Sequence, residues 1–354
     1  MRVGPTTRAD TVDSPRSPAP RSGVTRPPEQ PPGGALRIGR TRDWVIGGAF
    51  LTAVLVTVQL TVGWGPLLSP WRALSPLLLA GLFALSALSY ALRAVRIYDY
   101  FRPRFAGCFL SVLRLSVLHN SANNLLPMRA GEMVFPWLMR RYFGHAFLDA
   151  AAALLWIRVL DLHFLGLIGI FILNLRAPSW IWGLGAALWV AGLALFVPLA
   201  GRVRPGSGQR EPGVWARATR GLRRLLLAAP GKPLILARVY LWTALTWLLK
   251  LAAFAVLLEH FLPVAFWRVL TGVMGAELSS VLPFHGIAGS GSYELAVVAA
   301  LTPLGVDPRS ALAGAVNLHL FLLGTTMALG GLAFLLPRTS VCSGRGAASQ
   351  QAPA

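Results

Sequence analysis

The chain has 354 residues, 55% of them hydrophobic and only 13% charged, with a net charge of +20. A soluble domain carries about 25% charged residues, and the apolar residues here lie in long runs. A soluble globular fold is therefore excluded, and a multi-pass α-helical membrane protein is implied.

In chain order, residues 1–43 come first, rich in Pro, Arg and Ser with almost no aliphatic side chains. Such a segment cannot bury enough apolar surface to offset its ordering entropy, so it reads as a disordered tail. No small-residue cleavage site follows the first apolar run, which is expected to be retained. Spans are predicted at 44–64, 74–92, 147–172, 180–200, 237–258 and 310–336, each long enough to cross ~30 Å of hydrocarbon. Two further regions, 105–139 and 264–303, are apolar but interrupted, and each reads as two spans or one re-entrant hairpin. The membrane domain is then 44–338, in halves of about 44–172 and 180–336, and 339–354 is a second disordered tail. A β-barrel would need alternating segments of ~10 residues, and none is evident. Cys108 and Cys342 stand far apart and suggest neither a disulfide framework nor a metal site.

If both interrupted regions return to the side on which they start, the basic residues segregate. The tail arginines, Arg93, Arg96, Arg102, Arg104, Arg140, Arg141, nine basic residues in 202–238, Arg338 and Arg345 fall on one face. Only Arg72, Arg176, Arg268 and Arg309 fall on the other. The rich face is then cytoplasmic, with both termini inside. Topology and attraction to anionic lipid account for the net charge, and no nucleic acid is needed.

This topology gives two halves of opposite orientation, each reading span, span, interrupted hairpin, span: an inverted-topology repeat. The interruptions carry related phrases, NNLLPMRAGE at 123–132 and SSVLPFHGIAGSGSYE at 279–294. Irregular backbone at membrane depth persists only where protein or a watery cavity covers it. Broken helices at matching positions point to a transport site near the midplane.

Several residues become candidates for that site. Asn123 and Asn124 precede the first break, and Arg129 and Glu132 follow it at i,i+3 spacing. Arg129 suits a lipid phosphate through its planar donor fork, with Glu132 positioning it or reading a cationic headgroup; alternatively the two pin the hairpin. Arg158 and Asp161 share a helix face, either as a wall of the headgroup path or as a buried pair that fixes packing. Glu277, His285, Ser290 and Glu294 belong to the second break. Its Gly-rich segment offers backbone N–H groups to an anion, or close helix packing. Glu132 and Glu294 are expected to share one polar cavity. The six histidines are scattered, with no HExxH, so neither a metal nor another cofactor is expected.

NNLLPMRAGE, WIRVLDL at 156–162 and LPFHGIAGSGSYE occur in that order. Together they resemble the membrane domain of lysylphosphatidylglycerol synthases and the wider flippase-like family that has this domain alone. The family pattern is matched at Asn123, Pro127, Arg129, Gly131 and Glu132, and again at Arg158 and Asp161. It departs where Tyr293 precedes Glu294 in place of an Arg, and where His285 and Ser290 replace small or glycine residues. The resemblance covers about 44–338 and implies movement of a polar lipid between leaflets. No aminoacyl transferase domain is expected, because the chain ends soon after the last span.

The expectation is thus an all-α polytopic membrane protein with about six full spans, two interrupted or re-entrant hairpins and an inverted repeat. It is expected in a bacterial cytoplasmic membrane, with anionic phospholipid or another polar lipid as partner and no enzymatic activity. A membrane-embedded lipid-modifying enzyme and a non-transporting lipid-binding partner of an envelope synthase are the alternatives.

Overall fold

The computed structural model describes residues 41–105, 107–127, 130–201, 233–280 and 286–336, with Met1, Gly4, Leu225 and 228–230. The two tails, apart from Met1, Gly4 and 41–43, lie outside the described residues, as do Arg129 and His285. Among the described residues ten main helices follow one another: α1 (Thr41–Thr61), α2 (Pro76–Tyr100), α3 (Phe109–Leu125), α4 (Gly131–Phe143), α5 (Phe147–Arg176), α6 (Trp180–Gly201), α7 (Pro233–Phe261), α8 (Phe266–Ser279), α9 (Ser292–Leu301) and α10 (Pro308–Leu335). No strand occurs among the described residues.

Among the described residues six stretches are long and apolar enough to cross a membrane: Trp44–Thr61, Pro76–Tyr100, Phe147–Arg176, Pro233–Phe261, Ile287–Leu304 and Pro308–Leu335. The fold is all-α and polytopic. The apolar helix α6 covers the predicted span at 180–200. The stretch Ile287–Leu304 is broken into a 3-10 turn, α9 and a second 3-10 turn at Thr302–Leu304. At 1.5 Å per residue, α4, α8 and α9 are about 20, 21 and 15 Å long, short of the ~30 Å hydrocarbon core. They are the arms of the two interrupted hairpins, α3–α4 and α8–α9, whose members pack on each other.

Local chemistry sets the helix ends. Ser75 caps α2 by accepting from the Leu78 N–H at 3.1 Å, with Pro76 at the first turn, a position where a missing N–H costs nothing. Asp307 caps α10 in the same way, accepting from the Ser310 N–H at 2.9 Å ahead of Pro308. Gly144, at φ 64°, closes α4 in the left-handed conformation that glycine adopts without a Cβ penalty.

Two apolar cores flank the centre. One joins α2, α3, α4 and α5 through Ile97, Val112, Leu115, Phe135, Met139 and Ile157. The other joins α5, α7, α8, α9 and α10 through residues such as Phe164, Phe254, Leu258, Val273, Leu301 and Leu318. Between the halves, α2 packs along α7, and Arg238 near the start of α7 reaches Asp99 at the end of α2 at 2.7 Å. The two helices therefore run antiparallel.

The other packed pairs come in matched sets. The contacts α2–α3, α4–α5, α3–α10 and α5–α7 are mirrored by α7–α8, α9–α10, α8–α5 and α10–α2. α1 touches both hairpin tips. A Cβ on Gly47 would lie 2.8 Å from Ile287 Cγ1 and 3.3 Å from Pro127 Cβ.

Two expectations are corrected here. Arg93 and Arg96 are not loop cations, because α2 runs two turns past the predicted end at 92 and carries both into the buried interior. The helix continues because both side chains find polar partners inside. Cys108 is disulfide-bonded rather than unpaired, and Cys342 lies outside the described residues.

Candidate functional site: a charged cleft between the two halves

A cleft of about 230 Å³ lies where the halves meet. It is lined by Tyr90 and Arg93 of α2, Asn120, Asn123 and Asn124 of α3, Glu132 of α4, Arg158 and Asp161 of α5, Trp247 and Lys250 of α7, and Glu277 of α8. Leu155, Leu162, Leu165 and Ser280 complete it. A charge near the bilayer centre costs several kcal/mol unless it is paired or hydrated, so the partner of each ion decides its role.

Arg158 donates to Glu132 Oε1 from Nε at 3.1 Å and from Nη2 at 2.9 Å. Its contact with Asp161, one turn away, is longer at 3.4 Å. Asp161 instead accepts from Arg96 at 2.5 Å and from the Trp247 indole at 2.9 Å, and Arg96 also donates to Thr243 at 3.0 Å. The i,i+3 pair read from the sequence is therefore present as the longer contact, while each member makes its shortest contact with a third residue. Asp161 and Arg96 are both almost wholly buried and tie α5 to α2, whereas Arg158 and Glu132 stay about one-fifth exposed at the cleft mouth. Lys250 donates to Glu277 Oε2 at 2.6 Å, which leaves the buried Oε1 without a partner.

Arg93 differs from the other cations. Among the described residues no carboxylate pairs with it. Its one side-chain hydrogen bond is to the neutral Asn120 Oδ1 at 3.4 Å, its Nε is buried without a partner, and its guanidinium stands 5.4 Å from the Trp247 ring centre. Lys250 lies over the same ring at 5.4 Å. Among the described residues, Arg93, Arg96, Arg158 and Lys250 thus face only Glu132, Asp161 and Glu277. With the buried Arg96 behind the lining counted, the described residues around the cleft carry one more cation than carboxylate, and Arg93 is the cation without a paired carboxylate.

Glu294 lies elsewhere. Its Oε2 accepts from the Gly291 N–H at 2.8 Å and its Oε1 meets His319 Nδ1 of α10 at 2.6 Å. His319 Nε2 reaches the Ala288 carbonyl at 2.8 Å, and the Tyr293 ring stacks on the imidazole with centroids 4.4 Å apart. His319 and Tyr293 line a small cavity that shares Asn123, Asn124, Lys250, Glu277 and Ser280 with the cleft. Glu294 lines a separate, mostly apolar groove against α1. The expectation that Glu132 and Glu294 share one cavity therefore fails, and the acid of the second half that shares the cleft with Glu132 is Glu277.

Of the residues singled out from the sequence, the cleft brings together Asn123, Asn124, Glu132, Arg158, Asp161 and Glu277. Asn124 donates to the Tyr90 hydroxyl at 3.1 Å and to Thr326 at 2.9 Å, and the buried Asn123 Oδ1 has no partner. Ser290 is buried in the link before α9 and does not line the cleft. Sequence reasoning missed Tyr90, Arg93, Trp247, Lys250 and His319. Lys250 and His319 stood as ionisable residues inside predicted spans, which is itself a functional signal. Arg93 was lost to the loop charge count.

The polar residues occupy matching helix positions. Arg93, counted from Pro76, and Lys250, counted from Pro233, are both 17 residues in. Tyr90 and Trp247 are both 14 residues in. Arg158, counted from Phe147, and His319, counted from Pro308, are both 11 residues in. Each of the last two meets a Glu in the first turn of the preceding short helix.

No curated protein and no solved structure matches the chain. The family model described as the lysylphosphatidylglycerol synthase TM region matches residues 44–330, most of the sequence and the whole of the charged cleft, so this multi-pass membrane protein belongs to that lipid-associated family.

Proposed function

We propose that the protein takes the phosphate-bearing headgroup of a membrane lipid into the central cleft and carries it between leaflets without changing its covalent structure. Arg93 is the observation that carries this reading: a buried guanidinium with no carboxylate partner among the described residues, beside Lys250 on the same indole. A planar guanidinium suits bidentate binding of phosphate, and the excess positive charge favours an anion over a cation. The mouth suits a lipid as well. Leu155 and Leu162 are about half exposed and flank Arg158 on one face of α5, so acyl chains can stay outside while the headgroup passes the Arg158–Glu132 pair.

The inverted repeat is part of this proposal. The matched helix contacts, the antiparallel α2 and α7 and the equal helix offsets of Arg93 with Lys250 and of Arg158 with His319 all support it. A site between two such halves is reachable from either face as they rock. The orientation with both termini inside follows the basic-residue asymmetry, and a bacterial cytoplasmic membrane is the proposed location.

The test uses vesicles containing the purified protein and a fluorescent phosphatidylglycerol, with a quencher outside. Arg93→Ala should slow leaflet exchange roughly ten- to hundred-fold, the worth of a charge-assisted hydrogen bond, and Arg93→Lys should recover part of it. Equal exchange in wild type and Arg93→Ala at equal protein content would overturn the phosphate role. A new covalent lipid product would point instead to an enzyme.

A further inference from the structure

The Glu294–His319 pair imposes a proton count. His319 Nε2 faces the Ala288 carbonyl at 2.8 Å, and a carbonyl only accepts, so Nε2 carries a hydrogen. Nδ1 faces Glu294 Oε1 at 2.6 Å. If the carboxylate were ionised and the imidazole neutral, two lone pairs would meet at that distance. One further proton therefore sits between them, with His319 as imidazolium or Glu294 as the acid. Either way the pair holds one proton more than its separated ionised acid and neutral base, and its net charge is zero.

The pair also divides two cavities. His319 lines the small cavity that adjoins the charged cleft, and Glu294 lines a groove of about 380 Å³ between α1 and α9–α10. That groove runs to Thr61 at the end of α1 and to Pro308 and Arg309 at the start of α10. The cleft extends from the small cavity, at Lys250 and Glu277, to Arg93 near the end of α2 and Arg158 in the first half of α5, away from the groove. His319, 11 residues into α10, is about 16 Å from the groove end of that helix.

We propose that Glu294 and His319 form a proton-carrying site between these cavities and that its loading and unloading couples a proton to the movement of the headgroup. The coupling rests on the lipid reading above; the proton site does not. On unloading, the bond that holds the shared proton breaks, and the proton passes to water in whichever cavity is open. A carboxylate then faces an imidazole lone pair, and the two side chains must separate. Glu294 Oε2 also caps Gly291 at the start of α9, so its movement disturbs the link from Gly286 to Gly291 at the hairpin tip. Among the described residues, the other titratable or charged groups facing the pair are Tyr293 on α9, Glu277 on α8 and Lys250 on α7 in the small cavity, and Arg309 on α10 in the groove. The parts of α1 and α3 that line these cavities contribute Thr57, Thr61, Asn123 and Asn124, which do not titrate.

The first test needs no lipid movement. Protein labelled with 15N-histidine is placed in lipid vesicles and titrated, with ring-nitrogen resonances and carboxyl infrared bands followed together. The His319 and Glu294 signals should change in one shared step, and either Glu294→Gln or His319→Gln should abolish the shared step and leave the remaining partner titrating alone. A His319 ring that titrates the same way in wild type and in Glu294→Gln overturns the site. The second test imposes a pH gradient on vesicles carrying fluorescent phosphatidylglycerol. Wild type should change its exchange rate several-fold with the gradient and Glu294→Gln should not respond. Exchange that ignores the gradient in wild type overturns the coupling. Thermal midpoints of both Gln variants report on folding, and Glu294→Asp, which keeps the carboxyl, should keep the shared step if the variants are otherwise sound.

Discussion

Replacing Asp161 with Ala removes one carboxylate that serves three donors. Arg158 keeps Glu132, but Arg96, 3% exposed, is left with only Thr243 at 3.0 Å among the described residues, and the Trp247 indole N–H loses its acceptor. Breaking a buried ion pair from one side costs about 3–5 kcal/mol because the remaining charge stays buried and uncompensated. The orphaned indole N–H adds about 1–3 kcal/mol. A loss of roughly 4–8 kcal/mol is comparable with the whole stability of many proteins, so Asp161→Ala should accumulate poorly and unfold at much lower denaturant in lipid nanodiscs. Arg96→Met combined with Asp161→Leu removes both charges and fills similar volume, and should recover most of the loss. Tryptophan fluorescence across a denaturant series measures both. A single variant as stable as wild type, or a double variant no better than Asp161→Ala, would refute the assignment of this pair to structure and return Asp161 to the transport path.

The remaining predictions concern packing and topology. Gly131→Ala should lower the unfolding midpoint, because its Cβ would fall on the Asn123 backbone across the first hairpin; overpacking costs about 1–3 kcal/mol. Gly169→Ala, with nothing within 4 Å of its Cβ, is the control and should be neutral or slightly stabilising. In a variant lacking Cys108 and Cys342, single cysteines at 66–72 and 173–179 should be labelled from outside the cell, and those at 202–236 should not. Outside labelling of 202–236 would reverse the orientation.

The spans were legible because a ~20-residue apolar run has few alternatives at membrane depth. The two hairpins were legible as interruptions, since Pro127 just past α3 and the glycines at 286, 289 and 291 before α9 disfavour continued helix. Gly131 in the GE motif has a packing reason that sequence alone hides: it lets α4 start against the α3 backbone. The polar site was only partly legible. Asp161 looked like the partner of Arg158 because both lie on one helix, but its shortest contact is to Arg96, 65 residues earlier. A hydropathy rule ends a span at the first Arg, so it placed Arg93 and Arg96 outside, although Asn120, Asp161 and Thr243 from three other helices receive them. Such long-range compensation leaves no local signature.

The two Glu-bearing hairpins share a geometry but differ in chemistry, and this difference bears on the proposed cycle. In the first half Glu132 meets Arg158, which stays charged at every accessible pH. In the second, Glu294 meets His319 at the equivalent helix position, the pair proposed above as the proton-carrying site. On that proposal one half holds a fixed ion pair and the other a switchable one. His319→Arg should convert the second into a copy of the first. A guanidinium offers several N–H donors in one plane, enough for both Glu294 Oε1 and the Ala288 carbonyl, and it stacks on an aromatic face such as Tyr293. The variant should therefore fold, with a thermal midpoint near that of wild type, yet lose the response of leaflet exchange to a pH gradient because its cation never releases a proton. The measurement is the same vesicle assay, run with and without the gradient. If His319→Arg folds and still answers the gradient as wild type does, the proton is carried by another group, and the two hairpins differ without functional consequence.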